Sequence, residues 1–238
     1  MRKTDDDKRR NDPRISTTNR LLAALPEWEF RRLIPALEHV SLARGEVLYE
    51  ADERIRYGYF LNKNTLASVI VTMEDGASIE ACLVGSEGVV GVQAFLRTEA
   101  TPARIVVQVA GSAMRIRVDV LREEFNRGEV LQDLLLRYTQ ALITQISQTA
   151  ACNHLHIVKE RFSRWLLTIH DRVAGAIPLT HELISRRLGA HRSSVSEIAA
   201  ALRREGVIRY GRGKITILDR EKLNSIACEC YEIIKATV

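Results

Sequence analysis

At 238 residues the chain is long for one domain and short for three, and its 46% hydrophobic and 27% charged residues are those of a globular protein. Five prolines and 13 glycines exclude a collagen-like or linker-like chain, and no apolar run reaches the roughly 18–20 residues that cross a bilayer. The net charge of +5 is unevenly spread: residues 1–20 carry +3, residues 21–150 carry −4 and residues 151–238 carry +6. The C-terminal third is therefore the part expected to meet a polyanion. Met1 to Asp7 is polar with no apolar run behind it, which excludes a secretory leader. Four scattered cysteines, Cys82, Cys152, Cys228 and Cys230, fit a reducing, cytoplasmic setting. Cys228-x-Cys230 has no His or second pair nearby in sequence. It reads as two small side chains, at least one of them buried, and not as a metal or redox site.

Residues 1–20 are polar and aperiodic and predict a flexible arm. Leu21–Leu37 predicts a helix capped by Asn19, with Leu22, Leu25, Phe30, Leu33 and Leu37 as apolar anchors. From Val40 the period changes. Val47–Tyr49, Tyr57–Leu61, Ala67–Val71 and Ile79–Val84 are short runs rich in β-branched and aromatic residues, separated by turn residues. Asp75-Gly76 marks a hairpin between two of them. Further strands are predicted at Ala103–Val109 and Ser112–Ile116, with Ala110-Gly111 read as a second hairpin turn. A barrel of about eight strands accounts for the set.

Helix returns near Val118. Leu131, Leu135, Tyr138 and Leu142 have the a/d rhythm of a coiled-coil seam, on a helix of about 130–150. They predict a dimer seam, because a long helix leaving a small barrel has little of its own chain to cover it. Cys152-Asn153-His154 reads as a hinge. A second helix follows, with Ile157, Phe162, Trp165, Leu166 and Ile169 on its apolar face.

Thr180 is a suitable N-cap for a helix ending at Gly189. Val195, Ile198 and Leu202 are the predicted inner face of the helix after it, whose outer face carries Arg192, Ser193, Ser196 and Glu197. Two short helices about a Gly-containing turn make a helix-turn-helix, whose second helix enters the DNA major groove. His191, Arg192, Ser193, Ser196 and Glu197 are the candidate base readers: Arg forks onto guanine O6 and N7, Ser donates or accepts, and Glu accepts from cytosine N4. Gly206–Tyr210 and Lys214–Leu218, joined at Gly211-Arg212-Gly213, predict a wing. Thr180, Ser194, Arg209, Arg212 and Lys214 are the candidate phosphate contacts, which position without reading sequence.

The order of helix, β-barrel, long helix and winged helix-turn-helix resembles the Crp/Fnr family of bacterial transcription regulators over residues 20–235. The matching stretches are Arg44–Tyr49, Tyr59-Phe60, Val84–Gly88 and Leu188–Leu202. The resemblance implies an α+β chain in four parts. They are an arm (1–20), a cyclic-nucleotide-binding-like jelly-roll sensor barrel (21–118), a long dimerisation helix (119–151) and a winged helix-turn-helix DNA-binding domain (152–238). It further implies a homodimer on a two-fold site in double-stranded DNA, with RNA polymerase as a partner and no membrane.

The departures from the family pattern bear on the signal. Cyclic-AMP-binding members pair Gly-Glu directly in the phosphate cassette and follow their arginine with Ser/Thr-Ala. Here Ser86 splits Gly85 from Glu87, and Arg104 is followed by Ile105-Val106. Gly85, Ser86, Glu87 and Arg104 remain the candidate ligand loop, but cyclic AMP is not expected. No Cys precedes Cys82, which argues against an N-terminal iron–sulfur cluster, and His39 alone precedes His154, which argues against haem. No cofactor is expected. In the recognition helix many members carry Glu after the Arg and Arg four positions later; Ser193 and Glu197 occupy those places. An enzyme of the cupin type needs about three imidazoles on its strands, and residues 40–118 contain no His. The alternative, a cyclic-nucleotide-binding regulatory protein without a gene-regulatory role, has no use for Thr180–Ile217.

Overall fold

The computed structural model describes residues 17–237. Most of the predicted arm lies outside them, but its end is no arm. Thr18 donates its N–H to Asn62 Oδ1 at 2.8 Å, and Asn19 donates to the carbonyls of Leu61 and Gly88. Arg20 N–H bonds the Ser86 carbonyl at 2.7 Å. Residues 17–20 are thus pinned to the barrel. Asn19 also caps the first helix, accepting from the backbone of Leu21 and Leu22. The predicted helix over 21–37 is broken: α1 (Arg20–Ala23) ends before Pro26, and α2 (Glu27–Leu33) runs into a short 3₁₀ turn, Ile34–Ala36. Proline has no N–H for the α-helical ladder, so the chain restarts at Pro26.

Eight strands follow: β1 (Glu38–Leu42), β2 (Val47–Tyr49), β3 (Tyr57–Leu61), β4 (Leu66–Thr72), β5 (Ser78–Val84), β6 (Val89–Val90), β7 (Arg104–Val109) and β8 (Gly111–Arg117). They form two four-stranded sheets, β1-β8-β3-β6 and β2-β7-β4-β5, in the two-sheet arrangement of a jelly roll. The β4–β5 hairpin turns where expected, with Gly76 at φ +82 and the Asp75 carboxylate accepting from Ala77 N–H. The second expected hairpin does not exist. β7 pairs with β2 and β4 while β8 pairs with β1 and β3, so at Ala110 the chain crosses between sheets. Between the sheets Phe60, Leu61, Ile105, Val107, Met114 and Ile116 are fully buried.

After α3 (Val118–Phe125), the long helix α4 runs Val130–Leu155. Its start is held by the buried Glu29, whose carboxylate accepts from Leu131 N–H at 2.9 Å, the favourable sign for a helix N-terminus. The expected dimer seam is corrected here. Leu131, Leu135, Tyr138 and Leu142 are buried in the core of their own chain, and Gln145, Thr149 and Cys152 continue that stripe in steps of three and four. Gly88 approaches Tyr138 so closely that any Cβ there would collide with the ring. The helix exposes Leu136, Ile143 and Ile146 instead, at 45%, 53% and 42%. The expected hinge at Cys152-Asn153-His154 is also displaced, since these residues are helical and the break comes at His156-Ile157.

The C-terminal unit comprises α5 (Val158–His170), β9 (Ile177–Pro178), α6 (His181–Leu188), α7 (Arg192–Arg204), β10 (Ile208–Gly211), β11 (Lys214–Ile217), α8 (Arg220–Ile226) and α9 (Cys230–Ala236). Phe162, Trp165, Leu166 and Ile169 face inward as predicted; Ile157 precedes the helix and is 65% exposed. Their core joins the barrel edge at Leu66 and Leu83. Cys228 and Cys230, far in sequence from Cys152 and His156, pack against Cys152 and lie beside His156. Among the described residues no helix is long and apolar enough to cross a membrane.

Candidate nucleic-acid interface

Local sequence sets both ends of α6. Thr180 Oγ1 accepts from Leu183 N–H at 3.2 Å, a cap that contributes about 1 kcal/mol. At the other end Gly189 takes φ +57, and the N–H groups of Gly189 and Ala190 reach back to the carbonyls of Arg186 and Ser185. That is the Schellman arrangement, which needs a left-handed residue at its hinge. Gly189 therefore sets the angle at which α7 leaves α6.

Helix α7 buries Val195, Ala199 and Leu202, and Ile198 is only partly covered. The opposite side presents His191, Arg192, Ser193 and Glu197 to solvent at or near its N-terminal end. Ser194 and Ser196 are partly buried. Ser196 is already engaged, its hydroxyl donating to the Arg192 carbonyl at 2.9 Å and lying 2.9 Å from His181 Nδ1. The structure thus groups four of the five candidate base readers on one exposed face and turns the fifth toward α6.

The wing is a two-residue hairpin with Gly211 opposite Lys214. Arg212 and Gly213 have φ +51 and +70, the positive pair that a type I′ turn requires. Arg209, Arg212 and Lys214 are all exposed. β9, which sequence reading missed, adds a third strand, and Leu179 N–H bonds the Gly213 carbonyl at 2.8 Å. Thr180 consequently stands beside the wing turn, placing a hydroxyl and the wing cations on one rim. Another feature missed from sequence is the stack of His181 on Tyr210, ring centres 4.4 Å apart, which ties α6 to the wing. Burial first, and the Arg192 charge second, hold the His181 pKa below its ordinary value.

The candidate ligand loop does not assemble as a set. Glu87 accepts from Gly85 N–H and from Arg172 Nε at 2.7 Å, an ion pair with the C-terminal unit. Arg104 lies toward the other end of the sheet from Gly85, where it pairs with Glu50 at 2.9 Å. A second barrel carboxylate, Glu80, is buried and accepts from Trp165 Nε1 at 2.6 Å, with Arg187 Nε 3.6 Å away. Burial raises its pKa against the lowering pull of Arg187. The barrel thus uses its inward polar groups to hold α5 and α6.

Residues 160–226 match the family model of the Crp-like helix-turn-helix domain. The chain is 26% identical over 197 residues to the transcriptional regulator SdrP of Thermus thermophilus, spanning 80% of this chain and 94% of SdrP. In fold it is similar to FixK2 of Bradyrhizobium japonicum, with a TM-score of 0.68 at 19% identity over 81% of this chain and 98% of that one. It is similar too to TTHB099, a CRP-family transcriptional regulator of Thermus thermophilus. That TM-score is 0.66 at 22% identity, over 80% and 96% of the two chains.

Proposed function

We propose that the chain is a DNA-binding transcription regulator of the Crp/Fnr type and acts as a homodimer that places two α7 helices in successive major grooves of a two-fold site. The observation that carries this reading is the shared rim of His191, Arg192, Ser193 and Glu197 with Thr180, Arg209, Arg212 and Lys214. Arg192, at the helix start, forks onto a guanine edge, while Ser193 and Glu197 read adjacent bases. The wing cations and Thr180 hold phosphate and fix the register. Half-sites then lie about 34–36 Å apart, one helical turn.

Dimerisation runs through the exposed Leu136, Ile143 and Ile146 face of α4, because the other stripe is spent on the barrel. The barrel takes no cyclic nucleotide, haem or iron–sulfur cluster. Glu87, which a cyclic nucleotide would need, is bound to Arg172. The protein performs no catalysis, works in a reducing cytoplasm and acts on transcription through RNA polymerase.

Selection of bound sequences from random duplex DNA by the purified protein tests the reading. The expected product is a two-fold motif, and Arg192→Ala relaxes one base pair in each half at a cost of about 1–3 kcal/mol. Recovery of no common motif would overturn it.

A further inference from the structure

Cys152 and His156 occupy the last turn of α4 and its cap, while Cys228 and Cys230 flank the start of α9. The fold brings these two pairs together across 71 or more intervening residues. One ligating atom from each of the four lies within 4.8 Å of all the others. The Cys152 and Cys228 sulfurs are 3.5 Å apart, and Cys230 Sγ is 3.6 Å from His156 Nδ1. A tetrahedral zinc ion with bonds of about 2.3 Å to sulfur and 2.0–2.1 Å to nitrogen has edges of about 3.8 Å and 3.6 Å. These two contacts are close to those edges, and a cluster no wider than 4.8 Å is too tight for the ligand sulfurs of a multi-iron cluster.

Three surrounding features point the same way. His156 turns Nδ1 to the sulfurs and Nε2 to the Glu229 carboxylate at 3.3 Å, the outer contact that fixes the tautomer of a metal-ligating imidazole. Gln148 Nε2 donates to Cys230 Sγ at 3.1 Å, a contact that suits a sulfur bearing negative charge. Arg161, five residues beyond His156 on α5, is buried, its Nε has no hydrogen-bond partner, and it makes no ion pair with a carboxylate among the described residues. Buried cations need a nearby counter-charge. Three neutral thiols supply none, whereas three thiolates and one imidazole around a dication carry a net −1.

We propose that Cys152, His156, Cys228 and Cys230 form a four-ligand site for a single thiophilic divalent cation of the zinc class, which clamps the end of the long helix to the last helix of the DNA-binding unit. With all four positions filled by protein, the site is closed and structural, not catalytic. Binding releases the thiol protons, and the ion ties segments that meet only in the folded chain, so occupancy stabilises the fold. The clamp spans the break at His156-Ile157, where the chain passes into α5. It therefore sets the angle between the long helix and the winged unit.

The test uses the full-length protein, prepared under reductant and stripped of metal, with cobalt(II) as the probe. One equivalent per chain should give the visible bands of tetrahedral cobalt and the near-ultraviolet thiolate-to-cobalt absorption. Zinc should displace it and raise the melting temperature. Cys228→Ser and Cys230→Ser should lose the tetrahedral spectrum, while Cys82→Ser, in the barrel, should keep it. If the cysteine variants do not fold, His156→Ala leaves all three sulfurs in place and should weaken cobalt binding at least tenfold while altering the visible bands. Octahedral or absent cobalt bands in the unmutated protein, or a spectrum indifferent to His156→Ala, would overturn the proposal.

Discussion

Glu87 in the loop after β5 and Arg172 just beyond α5 form a buried ion pair, Oε1 to Nε 2.7 Å, with side chains only 7% and 8% exposed. The pair joins barrel to DNA-binding unit. Arg172 also donates to the Thr168 carbonyl and Glu87 accepts from Gly85 N–H, so both charges are hydrogen-bonded beyond the pair itself. Losing one member strands the other in a poorly solvated place. Glu87→Ala should therefore cost about 3–5 kcal/mol in urea unfolding, whereas Glu87→Met with Arg172→Met should recover most of it. Equal losses in the single and double variants would show that the pair is not a coupled unit.

The two apolar faces of α4 make opposite predictions. Leu136 and Ile143, seven residues apart and exposed, should carry the subunit contact, and Leu136→Asp with Ile143→Asp should give a folded monomer by sedimentation. That monomer should bind operator DNA far more weakly, having lost its second half-site. Leu135→Asp places a charge in the barrel core and should unfold the chain instead. A folded monomer from Leu135→Asp, or an intact dimer from the Leu136/Ile143 variant, would reverse the assignment of the faces.

His181 couples the wing to pH. Its Nδ1 meets the Ser196 hydroxyl, its Nε2 is buried without a partner among the described residues, and its ring stacks on Tyr210. Protonation would create a second N–H with no acceptor, close to Arg192. The folded-state pKa is accordingly lowered from 6.5, by burial and then by Arg192. A histidine held neutral by the fold contributes stability that is present above its unfolded pKa and lost as pH falls below it. The melting temperature should therefore drop as pH falls below 6.5, and His181→Gln should flatten that part of the profile. An unchanged profile in the variant would assign the acid sensitivity elsewhere.

Much of this was legible in the chain because it is local. Thr180, Gly189 and the Gly211-Arg212-Gly213 turn each dictate their own backbone, so the helix-turn-helix and wing could be placed from sequence. Most barrel strands announced themselves by β-branched runs. β1, with Glu38, His39 and Ser41 among five residues, did not, and two-residue β9 is too short to leave a pattern. What failed depends on long-range packing. The Leu131-Leu135-Tyr138-Leu142 spacing specifies an apolar stripe but cannot say whether the chain's own barrel or a second copy covers it. Arg104 and Glu87 were grouped by motif order, yet the sheet topology holds them apart. Cys152-x₃-His156 and Cys228-x-Cys230 are each weak alone, and only the packing of α9 on α4 joins them.

The wing turn carries a conflict between backbone and function. Arg212 adopts φ +51, where a side chain bearing a Cβ is strained by roughly 1–2 kcal/mol, and turns of this type favour Asn-Gly. The side chain is exposed, and no hydrogen bond or ion pair among the described residues holds it in place. Such strain persists where the residue serves another purpose, and the phosphate contact proposed for Arg212 at the tip of the wing is such a purpose. Arg212→Gly should then raise the unfolding free energy, by up to about 1 kcal/mol, while weakening DNA binding. The weakening should be equal on the best site and on single-base variants, and the slope of log affinity against log salt should become shallower by about one unit. Arg192→Ala should do the opposite, leaving stability unchanged and altering preference at one position of each half-site. Indistinguishable selectivity profiles for the two variants would remove the distinction between a reading and a positioning arginine, and a destabilised Arg212→Gly would remove the argument from strain.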